Sequence, residues 1–196
     1  MFTACCPLIL ASASPRRQEY LTRLGLEFRI IPAAIDEIAA PGESPRDFAQ
    51  RMAATKAWQV AEAHPDACVI GADTVVVLDH RIFGKPRDPK EALAMLMALQ
   101  GRTHEVTTGF ALVSKKRYIE EVNAVTTAVT FGVFTQPILQ AYVDSGEPMD
   151  KAGAYGIQGK GGFLVQSVTG SCSNVVGLPV HAVVHSLLRH TLLKTG

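Results

Sequence analysis

The run CVIGADTVVVLD, Cys68 to Asp79, restricts the fold more than any other stretch. Almost every position is apolar or small, so it reads as a buried strand. One carboxylate, Asp73, sits in its middle. An unpaired ionised carboxylate in a dry strand is costly, and its pKa would rise until it neutralised. Two readings remain. A divalent cation compensates the charge, or Asp73 caps a turn after Gly71-Ala72 and reaches solvent. Branched apolar residues resume at once, which favours the first. Mg²⁺ typically uses one or two carboxylates plus water and substrate phosphates. Glu37, in AAIDEIAAPG, can supply the second carboxylate.

Around this strand, helix and strand patterns alternate, which makes the class α/β or α+β. LILAS reads as a first strand and EFRIIPA as a second. Ser14-Pro15, Ser44-Pro45 (with Asp47) and Asp88-Pro89 (with Glu91) carry the N-cap and first-turn signature of helix starts. Gly25 and Gly101 follow the first and third of these helices. Asp79-His80 is placed to turn a hairpin into RIFG. HEVTTGFALV, VNAVTTAVTFGVF and FLVQSV are further strands, Pro137 starts a short helix, and Pro179 opens a C-terminal one. That last helix can pack in the core or at a dimer interface. SGEPMDKAGAYGIQGKGG reads as a long glycine-rich loop.

The chain has 196 residues, 47% hydrophobic and 19% charged. This suits one domain spanning residues 1–196, or one elongated domain with two lobes, and argues against global disorder. A net charge of +1 predicts neither nucleic-acid nor anionic-membrane binding. MFTACCPLIL has no basic start and no long apolar run, so a cytoplasmic location is expected. The four cysteines form no C-x-x-C and read as reduced, mostly structural thiols.

Three other places carry chemistry. Arg16 and Arg17 fall in the first turn of a helix, where two cations are unfavourable unless an anion such as phosphate joins them. Ser12 and Ser14 add hydroxyl donors there. The bland alternative is a solvated basic turn. Phe48, Met52, Lys56 and Val60 recur every four residues, so Lys56 lies near an apolar stripe. Either its stem snorkels to water or its ammonium points at anions. Lys85 follows the hairpin, and the glycine-rich loop lets backbone approach a ligand closely. Tyr155 and Gln158 can contact a base, or the loop is simply a flexible surface segment. No Walker A loop, G-x-G-x-x-G, serine elbow or H-E-x-x-H is present. His104, His181, His185 and His190 read as structural, surface or interface residues.

The segments LASASPRR, Asp36-Glu37, Lys56-Ala57, GADTVV, GKPRD, GRTHEVTTG, EPMDKAGAYGIQG and SNVVGLP, in this order, resemble the Maf family of nucleoside triphosphate pyrophosphatases. The resemblance covers nearly the whole chain. It implies an elongated mixed β-sheet flanked by helices, with two lobes around a cleft. It also implies hydrolysis of a nucleoside triphosphate to the monophosphate and pyrophosphate with Mg²⁺ or Mn²⁺, in a family linked to arrest of septum formation. Arg16, Thr74 and Gln158 match the markers of the subgroup acting on dTTP and UTP. The 7-methyl-GTP subgroup would carry an aromatic, a Gln and a Glu there. Cys172 departs from the Tyr usual in GSYSNVVG, and FTACC has no counterpart in the family.

On this resemblance, metal ions held by Glu37 and Asp73 grip the phosphates. Ser12, Ser14, Arg16, Arg17, Lys56 and Lys85 bind the triphosphate, Thr74 is a further substrate-binding position and subgroup marker, and Gln158 can contact the base. Asp73 is the expected proton acceptor for the attacking water. The alternatives are a pyrophosphatase for 7-methyl-GTP or inosine nucleotides, or a non-catalytic nucleotide binder that regulates division. A homodimer is compatible with the sequence.

Overall fold

The three helices expected from X-Pro starts all form, and local capping explains two of them. The computed structural model describes residues 1–195. Helix α1 spans Pro15–Arg23, α2 Pro45–Ala63 and α3 Pro89–Leu99. Ser44 Oγ accepts the Asp47 N–H at 3.1 Å, and Asp88 Oδ1 accepts the Glu91 N–H at 2.7 Å. Each satisfies an amide that the first turn leaves without an intrahelical partner. Ser14 makes no such bond; its own N–H donates to Ser12 Oγ at 3.3 Å. Gly25 and Gly101 adopt φ values of +73° and +66°, as expected of residues beyond a helix end.

The strands are β1 Phe2–Ala4, β2 Leu8–Leu10, β3 Arg29–Ile30, β4 Cys68–Leu78, β5 Arg81–Phe83, β6 Thr103–Ser114, β7 Ile119–Phe131, β8 Val165–Thr169 and β9 Leu193–Thr195. The remaining helices are α4 Gln136–Asp144, α5 Cys172–Val176 and α6 Val180–Arg189. The main sheet has seven strands in the order β3-β2-β4-β6-β7-β8, with β5 paired to β4. Strand β2 runs parallel to both β3 and β4, placing Leu10 beside Ile70. Strands β4 and β5 form the expected hairpin, with Asp79 and His80 at φ +49° and +62°. The fold is thus mixed α/β, a multi-stranded sheet with helices.

Three expectations need correction. EFRIIPA yields only the two-residue β3. The glycine-rich segment is not one loop but contains 3₁₀ turns at Glu147–Asp150, Ala152–Ala154 and Lys160–Leu164. The first of the FLVQSV residues lie in the last of these turns rather than in β8. FTACC, for which the family offers no counterpart, contains the whole of β1, and β1 pairs antiparallel with β9.

The chain divides into two compact units. The first comprises residues 1–73, 108–125 and 177–196, and the second residues 74–107 and 126–176. In the first unit, Leu10, Ile70, Phe110, Leu187 and their neighbours form one apolar cluster, and Ala53, Ala57, Val69 and Val113 belong to another. Helix α6 contributes to this core: Val183 and Leu187 are buried in the first of these clusters. The second unit has its own core, which includes Leu96, Phe131, Leu139 and Tyr155. His104 belongs to this unit and is structural. It is 2% exposed, its Nε2 lies 2.8 Å from the Tyr155 hydroxyl, and burial pulls its pKa down to about 4.

The feature that sets up the site is the seating of α2 on β4 and β6 in the first unit. A Cβ on Gly71 would lie 2.2 Å from the Ala53 carbonyl oxygen, and one on Gly109 2.2 Å from that of Ala49. Helix backbone therefore rests directly on strand backbone. Gly71→Ala forces the two apart, and overpacking of this kind costs about 3 kcal/mol. A lower denaturant midpoint with an unchanged slope is the expected result.

No helix among the described residues is long and apolar enough to cross a membrane. The cysteines are free, and burial raises the Cys68 thiol to about 12.

Candidate functional site

Gly71 and Asp73 are two residues apart on β4, so their side-chain positions face the same way. That face is the one α2 covers. With Ala53 and Ala57 against Gly71, Lys56 stands one step around the helix, level with Asp73. Its Nζ donates to Asp73 Oδ1 at 2.6 Å and to Glu37 Oε1 at 2.5 Å. Lys56 and Asp73 are both buried, at 8% and 6% exposure, whereas Glu37 is exposed. This answers how a carboxylate survives in β4. An ammonium compensates it, and neither the solvated turn for Asp73 nor the snorkelled stem for Lys56 occurs. The burial of Asp73 therefore does not by itself require a metal.

Burial pushes the Asp73 carboxyl above the ordinary range, and the Lys56 ammonium and the Arg17 guanidinium oppose this without cancelling it. Arg17 comes from the first turn of α1. Its Nε donates to the Gly177 carbonyl at 2.8 Å and its Nη1 to Ser12 Oγ at 2.9 Å. Burial lowers the Arg17 pKa, while Asp73 supports its charge. A guanidinium stays protonated regardless. Ser12 is buried, and Ser14 and Arg16 are half-buried. The first turn of α1 has no acidic residue. The first unit thus holds a Glu37–Lys56–Asp73 triad and a Ser12–Arg17 pair, between which Arg17 and Asp73 support each other's charge, with Ser14 and Arg16 at the adjoining helix start.

The second unit holds the other three expected residues. Thr74 follows Asp73 in β4 and is half-buried, Lys85 is exposed after β5, and Gln158 is exposed in a turn. The Gly153 N–H donates to the Gly84 carbonyl at 3.0 Å, which fastens the Lys85 segment to the glycine-rich one. Gly153 is at φ +68°, and a Cβ there would meet Val76 at 2.9 Å. Tyr155, expected to stack on a base, is 6% exposed and packs edge-on against Phe131 and His104, so it belongs to the core instead.

Two groups escaped the sequence reading. Gly177 supplies a backbone carbonyl, which has no side-chain signal. Glu147 was legible in principle: an acid just before a glycine-rich run is placed to accept free amide N–H groups, and it does so from Lys160 and Gly161.

The donor set suits a hard cation. Glu37 Oε1 and Asp73 Oδ1 both contact the Lys56 nitrogen, which brings the two carboxylates close together. Among the described residues no group of three or more His, Cys, Asp or Glu converges. Two carboxylates leave most coordination positions to water and phosphate, as Mg²⁺ prefers.

Residues 7–190 match the family model described as Maf-like protein. A dTTP/UTP pyrophosphatase of Desulfotalea psychrophila is 50% identical over 194 residues, which are 99% of this chain and 100% of that one. The dTTP/UTP pyrophosphatase of Myxococcus xanthus is 52% identical over 93% of this chain and 91% of its own. That of Moorella thermoacetica is 51% identical over 88% of this chain and 89% of its own. With a family model spanning nearly all of it and relatives at half identity along its length, this chain belongs to the Maf family.

Proposed function

We propose that this protein hydrolyses dTTP and UTP between the α- and β-phosphates, releasing the monophosphate and pyrophosphate. The observation that carries the reading is Asp73, a buried carboxylate with a raised pKa, held by Lys56 beside Glu37. A non-catalytic binder needs cations for the triphosphate but no such carboxylate pair. Relatives at about half identity that bear the name dTTP/UTP pyrophosphatase support the substrate.

In this mechanism Asp73 takes the proton of the water that attacks the α-phosphorus. A raised pKa suits that task, because a base works best when its pKa lies near the working pH. Lys56 fixes the orientation of both carboxylates. Arg16, Arg17 and Lys85 offset phosphate charge, and Ser12 orients Arg17 through its hydroxyl. Thr74 and Gln158 are assigned to base recognition. A divalent cation, Mg²⁺ or Mn²⁺, held by Glu37 and Asp73 would supply charge neutralisation of the phosphates. Positioning and electrostatics supply the rest of the rate enhancement.

The test is pyrophosphate release from dTTP, UTP, 7-methyl-GTP and ITP, with and without Mg²⁺. Faster turnover of the two pyrimidine substrates supports the reading, and a preference for either purine overturns it. Gln158→Glu exchanges an amide donor for a negative charge. It is expected to lower kcat/KM for UTP by about 10-fold or more, the scale of one lost specific hydrogen bond to the base. An unchanged substrate ranking would contradict the role given to Gln158.

A further inference from the structure

We propose that Glu147 is a positioning residue for base selection, because it clamps the segment that presents Gln158; the proposal rests on the functional reading above. Glu147 opens the first 3₁₀ turn of the glycine-rich segment. Its Oε2 accepts the Lys160 N–H at 2.8 Å, and its Oε1 accepts the Gly161 N–H at 3.1 Å and the Tyr142 hydroxyl at 3.0 Å. The same Tyr142 oxygen accepts the Gly156 N–H at 3.2 Å. One connected pair of side chains therefore holds the chain at residue 156 and again at 160–161. Ile157, Gln158 and Gly159 lie between these two fixed points.

The glycines record how closely the clamp fits. A Cβ on Gly159 would lie 2.5 Å from Glu147 Oε1, and one on Gly161 2.4 Å from the Tyr142 hydroxyl. A Cβ on Gly156 would meet the Lys151 stem at 2.7 Å. Lys151 in turn donates to the Glu147 carbonyl at 2.6 Å. Before residue 156, Tyr155 is anchored in the core through His104. Gln158, by contrast, is exposed, and its side chain makes no hydrogen bond among the described residues. Its backbone is set while its amide remains available to a ligand.

The charge state favours this arrangement. Burial pushes Glu147 up, but the two backbone N–H groups, the Tyr142 hydroxyl and Lys151 outweigh it, so its pKa falls below the ordinary value. Burial, and then the Glu147 carboxylate, raise the Tyr142 pKa, which keeps that hydroxyl protonated as a donor. A carboxylate that accepts two backbone N–H groups cannot be replaced by an amide without turning an N–H₂ against a donor.

The experiment compares wild type, Glu147→Gln and Tyr142→Phe for kcat and KM on UTP, dTTP, GTP and ITP. Amide hydrogen exchange at Gly156, Lys160 and Gly161 is measured alongside. A loss of charged hydrogen bonds that loosens Gln158 is expected to raise KM for UTP and dTTP about 10-fold in Glu147→Gln. The preference over GTP and ITP should fall by a similar factor, with kcat at saturation within about threefold of wild type. Exchange should quicken at the three amides, and Tyr142→Phe should shift the same quantities less. If Glu147→Gln does not fold, Tyr142→Phe carries the test. Unchanged KM and ranking in a folded variant, or unchanged exchange, overturns the role of Glu147 and leaves the proposed function standing. A wild type that turns over no pyrimidine triphosphate overturns the function and the selectivity role, and the exchange data then test the clamp by itself.

Discussion

Asp73→Asn is expected to reduce kcat for UTP by about 10³-fold, the scale of losing a positioned general base. The chain should remain folded. Asn fills nearly the same volume in β4, and Lys56 keeps Glu37 as a partner. Pyrophosphate release gives the first quantity and the thermal midpoint the second. Turnover near the wild-type level would remove Asp73 from the chemistry. The pH profile supplies a second check. Asp73 acts unprotonated, so wild-type kcat/KM should fall as pH drops through its pKa. Burial raises that pKa in the metal-free protein and a bound divalent cation would lower it, so the acid limb should move to lower pH as Mg²⁺ is raised.

Lys56→Met has the second large expected effect, and it reads stability as well as rate. The thioether fills the stem's place but leaves Asp73 in the dry strand without its ammonium. Removing one partner of a buried pair costs about 3 kcal/mol at neutral pH. The sign of the pH dependence follows from linkage. Without Lys56 the folded-state pKa of Asp73 rises further above its unfolded value. Folded protein then holds the proton more tightly, so the variant loses stability as pH rises from the unfolded pKa to the folded one. Below that window the deficit should shrink. Urea unfolding at several pH values measures this. The double variant Lys56→Met/Asp73→Asn should be more stable than Lys56→Met alone, because the orphaned charge is gone. A pH-independent deficit, or no recovery in the double variant, would mean that the ion pair does not hold Asp73.

What was legible in the sequence was local. Ser44 and Asp88 announce α2 and α3 because a cap is a contact across three residues, and the hairpin at Asp79-His80 is equally short-range. The stripe of Phe48, Met52, Lys56 and Val60 placed Lys56 near the core but could not say what it faces, since the answer lies 17 residues away in β4. Asp73 stands out for a sound reason, its cost in a dry strand, but the sequence alone does not show that Lys56 lies against it. Strands β1 and β9 escaped because three residues at each end of the chain pair with one another, and neither segment carries a strand signal alone. In the glycine-rich segment, glycine content suggested freedom. The glycines at 156, 159 and 161 are instead small because side chains lie on top of them.

The contact of α2 with Gly71 and Gly109 also bears on how such an enzyme diversifies. Where main chain meets main chain, no rotamer can absorb a change, so Gly71 and Gly109 admit no enlargement. Asp73, the proposed base, inherits its coordinates from that rigid seam. New substrate preferences must then arise from residues elsewhere, whose replacement leaves the hydrolytic apparatus undisturbed.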